Sequence, residues 1–553
     1  MVAHPDSTCP NCGRPLKRAA VCTFCKSKDP YVVNPIYYVW LVVSAAMVVS
    51  MAGYRIYKTG ESIFISFKRM AGSAVYEVTL ASAGLPISRN PAPSIQIERV
   101  AEIRQMLKDG REIELNAALD SYQKAFEGNH ALDTAVCDAF YVFDTPQTSY
   151  EGLLSQWAER FPTLYQPHLA MAVYYHAVGW DKRGARSAAD TPKAAMAEME
   201  YYLSMTEERL TEALRINPNL VLGHSLLISI YNAMGKDAEE NEAIEKACAL
   251  FPDSFQIGVA AVWAKQPRWG GSYAAMEKLA KRMENAAVRN PHLTALYGFV
   301  YFDQANILAR NEKFKAALAL YEKAMTFGDA CDFYLARAKL FHYHLKDDES
   351  ALVDAERCIA LRPTVDRGYR MKSRILFALE DFEGALETLW TAASLRPGDT
   401  ETTEWKQWAY KSLFHKGHNA FKEDRQAAIT YYSFAIEIDG EQFEPLYWRG
   451  VAYLKEEQWD EARWDFDKAI ELNPTHFESV RLIDAVLARE KQWETIIGYW
   501  DRFLEYEPEH AEAYLERSGA HYHNGDRESA VSDLHTACDL GNRKACSLLS
   551  RFQ

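Results

Sequence analysis

No Gly-x-x-x-x-Gly-Lys-Ser/Thr loop, Gly-x-Ser-x-Gly elbow or His-Glu-x-x-His pair occurs anywhere in the 553 residues. The familiar signatures of phosphate-loop, serine-hydrolase and zinc-protease chemistry are therefore missing. Histidine is sparse, with close pairs only at His342/His344, His415/His418 and His521/His523. Residues two apart point to different faces of a helix, so the first and last make poor metal pairs. His415 and His418 can share a face, but no carboxylate or cysteine completes a ligand set beside them. Cysteines 137, 248, 331 and 358 have no metal-ligand spacing. Positive charge is also short. Residues 1–90 carry ten Lys/Arg against four Asp/Glu, so a net charge of −14 leaves the remainder at −20. An acidic body argues against duplex nucleic acid as the main partner, because phosphate binding needs cationic surface. Acidity serving solubility is the plainer explanation of that balance.

What is present is a period. The stretch 444–474 reads as two helices, with small residues at Gly450, Ala462 and Ala469, aromatics at Tyr453 and Phe466, and a closing Pro474. Small residues let two helices approach closely, aromatics fill the space beside the crossing, and proline ends the second helix. Steps of 34 from Pro474 reach Pro508 and Asn542 downstream, with Ala530 and Ala537 in the small positions. The intervening repeat is degenerate and uses Ile496, Trp500 and Phe503. Backward, Gly440 follows Ala428, Tyr432 and Ala435. The interval from 397 to 440 is 43, a slip of nine, after which the 34 period resumes at Pro397, Pro363 and Asp329. Ala385/Ala392, Ala351/Cys358 and Ala317/Ala324 precede those three. This order of residues resembles the tetratricopeptide repeat, and a lone helical pair cannot bury its apolar face, so the repeats must stack. The resemblance implies an all-α solenoid of seven repeats over 298–544, three in 298–408 with the phase-break insertion and four in 409–553. It also implies protein partners held on the concave face that the first helices line. The slip near 398–408 is expected to alter curvature and to hinge the two blocks.

The amino terminus has its own chemistry. Cys9-Pro-Asn-Cys12 and Cys22-Thr-Phe-Cys25 are two CxxC pairs separated by nine residues. Four thiolates in that spacing suit tetrahedral Zn²⁺ with no open position for catalysis. The Cys-Pro-Asn-Cys-Gly run resembles the first knuckle of a zinc ribbon, so 1–30 is expected to hold a structural zinc. Basic residues Lys17, Arg18, Lys26 and Lys28 leave a nucleic-acid contact open as an alternative, against the simpler role of flanking a membrane segment. Tyr31–Tyr54 carries no charge. That length spans a hydrocarbon core of about 30 Å, and the tyrosines and Trp40 suit the interfaces. The region 31–57 is read as an uncleaved single-pass anchor, and the Pro-rich 58–99 as a juxtamembrane spacer. Lys/Arg counts on the two sides tie, so cysteine chemistry sets the orientation. Reduced CxxC knuckles belong in the cytoplasm. Cys538 and Cys546, seven residues between them, resemble the pair of cysteine-rich bacterial helical-repeat proteins. That resemblance implies a disulfide between consecutive helices and a periplasmic solenoid on a bacterial inner membrane. Two unpaired thiols packing as small apolar residues is the alternative.

Between anchor and repeats, Gly179-Trp-Asp-Lys-Arg-Gly184, a long helix from Pro192 and Gln266-Pro-Arg-Trp-Gly-Gly-Ser272 stand out. Together they resemble a bacterial domain family of unknown function over about 100–290. Ala213/Pro218 and Ala247/Pro252 lie 34 apart, so divergent helical hairpins are expected across 100–297. Arg268, Trp269, Gly270 and Gly271 form the candidate partner-binding segment, since Arg and Trp are enriched in hot spots and glycine permits close approach. The alternative is a helix–helix loop in which Trp269 plugs the core and Ser272 caps the next helix. The sequence thus reads as a non-enzymatic, membrane-anchored, zinc-bearing scaffold. Its rivals are an enzyme with a site around Arg183, Arg268 and Trp269, and a regulator whose zinc module touches nucleic acid.

Overall fold

A computed structural model describes residues 91–184 and 190–550. The zinc-ligand candidates Cys9, Cys12, Cys22 and Cys25 and the apolar run 31–54 lie outside the described residues. Among those described, no helix is long and apolar enough to cross a membrane. All belong to one compact unit, Gly84–Gln553.

Every regular element among the described residues is helical. Four helices come first: α1 (Ile97–Lys108), α2 (Glu112–Gly128), α3 (Asp133–Tyr141) and α4 (Ser149–Arg160). Hairpins follow. The pair α5 (Tyr165–Arg183) and α6 (Lys193–Ile216) is the longest, then α7 (Val221–Ala233) with α8 (Asp237–Leu250), and α9 (Phe255–Ala264) with α10 (Tyr273–Glu284). The seven repeats read from the sequence are α11 (Gly298–Arg310) with α12 (Phe314–Met325), α13 (Cys331–Lys339) with α14 (Asp348–Leu361), and α15 (Asp366–Ala378) with α16 (Phe382–Leu395). They continue as α17 (Thr400–Ala420) with α18 (Arg425–Ile438), α19 (Phe443–Lys455) with α20 (Trp459–Leu472), α21 (Phe477–Arg489) with α22 (Trp493–Tyr506), and α23 (Ala511–His523) with α24 (Arg527–Asp539). A short α25 (Arg543–Leu549) closes the series.

The period expresses itself as predicted. Pro363, Pro397, Pro474 and Pro508 fall between helices, where the missing N–H costs nothing. Ala462 and Ala469 are fully buried, as are Ala317, Ala324, Ala351, Ala392, Ala428, Ala435 and Ala537. A Cβ on Gly450 would sit 2.8 Å from the Phe466 ring, so this crossing is as close as its residues allow. Ile496, Trp500 and Phe503 fill the degenerate repeat from positions at most 1% exposed. An ion pair recurs with the small residues: Arg449 to Asp465 at 2.7 and 2.9 Å, Arg517 to Asp533 at 2.7 and 2.8 Å, and Arg337 to Asp354 at 2.8 Å. Each ties a first helix to its own second helix.

Second helices start on a side-chain cap where the sequence supplies one. Asp347, Asp381, Asp424 and Asp526 each accept from a backbone N–H three residues on, whereas Gln458 and Gln492 in the same place give no such bond. First helices end on a left-handed residue at Glu312, Lys346, Glu380, Glu457 and Lys491. Gly235 and Gly525 take that place without strain.

The nine-residue slip is not a loop. It lengthens α17 to 21 residues against 13 for α15 and α19. The first half of α17 packs on α15 through Trp405, whose Nε1 donates to Ser373 Oγ at 2.9 Å. The second half packs on α18, with Gly417 under the Tyr432 ring. An unbroken helix joins the blocks, so bending there requires breaking helical hydrogen bonds, in contrast to the hinge expected from sequence.

The amino-terminal helices do more than precede the solenoid. Helix α3 packs on α5, α7 and α9, the first helices of three successive hairpins. Turns between hairpins then reach the same short segment one after another. Gln123 Nε2 donates to Asn219 O (2.9 Å), and Asp133 accepts from Ser254 Oγ and Gln256 N (2.8 and 2.9 Å). Arg362 pairs with Asp138 at 2.6 Å, and Arg396 with Asp144 at 3.4 Å. Thr145 Oγ1 donates to Pro397 O (2.5 Å). Buried Arg104 of α1 donates from Nε to Val142 O (2.7 Å), from Nη2 to Leu395 O (2.5 Å) and from Nη1 to Ser394 O, joining α1 to the end of α16. One apolar core accordingly runs from Ile95 to Leu395, across the boundary at 297/298. Residues 91–400 form a superhelical turn closed around its own leading segment.

Candidate partner-binding face

First helices line the inner face of such a stack. From α5 to α9 that face is taken by α3. From α13 onward it carries exposed charged and aromatic side chains instead, in three zones.

The first zone is cationic. Arg370 is buried and answered on all sides, by Asp366 at 2.8 Å, Asp399 at 2.5 Å, Glu401 at 2.9 Å and Thr402 Oγ1 at 3.1 Å. Arg367 is half exposed and meets Asp332 at 3.2 Å. Arg374 donates from Nη1 to Tyr343 OH at 3.1 Å and lies over the Trp405 ring at 5.4 Å. Its Nε is buried without an acceptor. Lys339, one repeat earlier on α13, is exposed at the end of that helix. Burial lowers its pKa, Glu401 opposes that, and Arg367, Arg370 and Arg374 lower it further. Trp405 stacks on Trp408 at 4.9 Å, and Trp408 is 53% exposed.

The second zone is aromatic. Phe414 of α17 packs on His418 one turn along, and the His418 ring meets Trp448 of α19 at 4.7 Å. His418 Nδ1 shares a hydrogen bond with Tyr432 OH at 2.7 Å, and burial lowers the imidazole's pKa. Tyr447 continues the band to His476 at 4.8 Å. The third zone is acidic. Glu444, Glu478 and Glu512 open α19, α21 and α23 at intervals of 34. Glu516 lies beyond them with its pKa raised by burial and by Asp484. Charge, stacking area and repeated spacing are what this face offers, which is chemistry suited to recognition.

The Arg268–Gly271 segment lies elsewhere, as a turn of 3₁₀ helix (Pro267–Trp269) between α9 and α10. Arg268 donates to Gln266 Oε1 at 2.8 Å and sits over the rings of Trp263 at 5.4 Å and Trp269 at 5.7 Å. A Cβ on Gly271 would be 2.2 Å from Lys265 O, so glycine is required there by close backbone approach. Ser272 caps α10, accepting from Ala275 N at 3.2 Å, while Trp269 is 37% exposed and not a core plug.

Among the described residues every cysteine is either paired or buried, and the close histidine pairs have partners of their own. Cys538 and Cys546 are joined by a disulfide between α24 and α25. Cys331 and Cys358 form another between α13 and α14, a pairing not expected from the sequence. Cys137 and Cys248 are free and buried, and burial raises both thiols, Cys248 to about 11. His342 bonds Asp348 at 2.6 Å, His344 stacks on Phe314 at 4.3 Å and His523 on Trp493 at 4.8 Å. Among the described residues no group of three His, Cys, Asp or Glu is placed to hold a metal. Lys339 and Arg374 are each the ninth residue of α13 and α15 but lie 35 apart in sequence, so a period of 34 did not align them.

Comparison with known proteins agrees with the repeat assignment. The tetratricopeptide repeat family matches at residues 443–476 and again at 497–541. Among solved structures, the chain is similar to YrrB, described as a TPR protein with an unusual peptide-binding site, at 17% identity over 42% of this chain and 98% of that one, with a TM-score of 0.20. It is similar to the P58(IPK) TPR domain at 15% identity over 65% and 99%, TM-score 0.21. The TPR2AB domain of yeast Sti1, solved in complex with pHSP90, matches at 16% identity over 42% and 98%, TM-score 0.19.

Proposed function

We propose that this tetratricopeptide-repeat chain is a membrane-anchored scaffold that holds partner proteins on the first-helix face running from α13 to α23. The observation that carries the reading is the contrast between two parts of one face. Where α3 lies against it the face is covered, and from α13 onward it presents Lys339, Trp408 and Glu512 to solvent, with Trp448 and Glu478 partly exposed. Rigid helices with charged and stacking groups at fixed repeat intervals suit an extended segment laid across several repeats. The anchor is assigned to the uncharged run Tyr31–Tyr54, and a structural zinc to Cys9, Cys12, Cys22 and Cys25. The two disulfides support a solenoid in an oxidising compartment, with the reduced knuckles on the cytoplasmic side of a bacterial inner membrane. The exposed edge of Trp269 is a secondary contact in this reading.

The test is photo-crosslinking from the full chain in its membrane. A crosslinking side chain at position 408 or 448 is expected to capture a defined set of proteins, and one at exposed Val353 on α14 to capture none of them. Identical capture from all three positions, or none from any, overturns the scaffold reading. One zinc per chain in the purified protein, lost on replacing Cys9 and Cys12, checks the metal assignment.

A further inference from the structure

We propose that the turn edge built by the α9–α10 and α11–α12 loops, with Arg268, Trp269, Arg310, Lys313 and Lys315, docks on the anionic headgroup surface of a lipid bilayer. This surface is separate from the partner-binding face, and it rests on the assigned anchor only for keeping a bilayer within reach. It begins with local composition. Residues 265–272 contain no acid and residues 310–315 contain one, Glu312, although the chain beyond residue 90 is 20 charges to the negative side. Lys265 is answered by Glu240 and belongs to the fold. Arg268, Arg310, Lys313 and Lys315 are exposed, and none has an ion pair among the described residues. Each Lys or Arg beside an anionic bilayer multiplies binding about fivefold, so four such cations against one acid leave a net attraction.

Geometry brings these groups together. Consecutive hairpins stack, so the two loops fall side by side on one edge. Trp263, at the end of α9, meets Phe302 of α11 at 6.0 Å and lies 5.4 Å from the Arg268 guanidinium. Partial burial lowers the pKa of Arg268, Asp303 opposes that, and Arg310 on the neighbouring loop lowers it further. Arg268 is also held in place. Its Nε donates to Gln266 Oε1 at 2.8 Å, and the guanidinium lies over the rings of Trp263 and Trp269. Both Nη groups are left without a partner among the described residues, and a guanidinium with that fork free matches a phosphate. Beside it the loop carries no side chain, because Gly270 is left-handed at φ 84 and Gly271 is pressed against Lys265 O. Trp269 is 37% exposed there, and tryptophan settles at the boundary between water and lipid. Cations spread over two loops around an indole suit a charged plane better than a single carboxylate.

The experiment places the full chain in nanodiscs of phosphatidylcholine, alone or with about 30% phosphatidylglycerol, and follows hydrogen–deuterium exchange at 266–272 and 310–315. Exchange there is expected to slow at least about threefold with the anionic lipid, and the difference to vanish at about 0.5 M salt. Exchange at 473–476, in a turn of the later block, is expected to be the same in both. Arg310→Gln with Lys313→Gln is expected to remove most of the difference while leaving Arg268 on Trp263. Adding Arg268→Gln removes the rest. Equal exchange in the two nanodiscs, a difference that the variants keep, or the same slowing by inorganic phosphate in neutral nanodiscs overturns the proposal and leaves the anchor standing. A chain that stays out of nanodiscs but co-floats with phosphatidylglycerol vesicles, and loses this in the double variant, removes the anchor and keeps the docking edge. A chain that does neither overturns both.

Discussion

Arg104→Met tests the closure of residues 91–400 directly. In the structure this guanidinium is buried and faces no carboxylate at bonding distance; it is held by three backbone carbonyls, Val142, Ser394 and Leu395. Burial lowers its pKa, nearby Tyr150 and Asp144 opposing that, so the three bonds work against a desolvation penalty. Hydrogen bonds to a charged donor contribute about 1.5–3 kcal/mol each, but water can replace some of them at a helix end. Methionine keeps the apolar stem and removes the unpaired charge, which offsets part of the loss. The expected net effect is about 2–4 kcal/mol, felt where α1 meets α16 rather than throughout the chain. Hydrogen–deuterium exchange reads that locally. Protection of α1, α3 and residues 394–398 is expected to fall by roughly 30- to 1,000-fold, while α19 to α24 stay unchanged. Arg425→Ala, which removes the exposed pair with Glu456, serves as a control worth at most about 0.5 kcal/mol. Protection within about threefold of wild type in α1 and at 394–398 would show that Arg104 does not hold the closure.

Four further outcomes are expected. Gln458→Asp supplies the cap that Asp347 and Asp381 provide in other repeats, and should raise stability by about 0.5–1 kcal/mol in thermal unfolding. Glu457→Gly relieves a left-handed residue at φ 57 and should stabilise by up to about 1 kcal/mol, whereas valine there should destabilise. Ala469→Trp overpacks a fully buried crossing and should cost about 1–3 kcal/mol; an unchanged melting curve would show that the site can open freely. Burial lowers the pKa of His176 to about 4, from an ordinary 6.5, and also lowers those of His224, His292, His418 and His476. These imidazoles are neutral when folded and protonate on unfolding, so the unfolded chain binds more protons below pH 6.5. For His176 the stabilisation is complete above that value and is lost as pH falls towards 4, the other four adding slope in the same direction, and His176→Gln should flatten part of it in pH-dependent denaturant titrations.

The carboxy-terminal half was legible because its information is local and repeated. Small residues, an aromatic and a proline at a period of 34 determine which helices cross and where they stop, and Ala462, Ala469 and Pro474 behave accordingly. The closure was not legible, because its bonds join residues far apart in sequence, 224 for Asp138 with Arg362 and 291 for Arg104 with Leu395. A buried arginine bonded only to carbonyls leaves no opposite charge for a sequence reader to find. The slip of nine interrupts the phase, but helix propensity cannot say whether extra residues form a loop or lengthen α17. At the face, the cations Lys339 on α13 and Arg374 on α15 are 35 residues apart, which a period of 34 does not align. They were obscured by the repeated Arg449–Asp465 type of pair, which makes arginine in a first helix look structural.

The long α17 and the closed turn give the molecule two different ways of coming apart. An ordinary linear array peels, each module leaving when its single neighbour lets go. With α1 tied to the end of α16, the leading modules lack that freedom and must be released together. Heating or mechanical tension should therefore detach the later hairpins stepwise and open residues 91–400 in a single event.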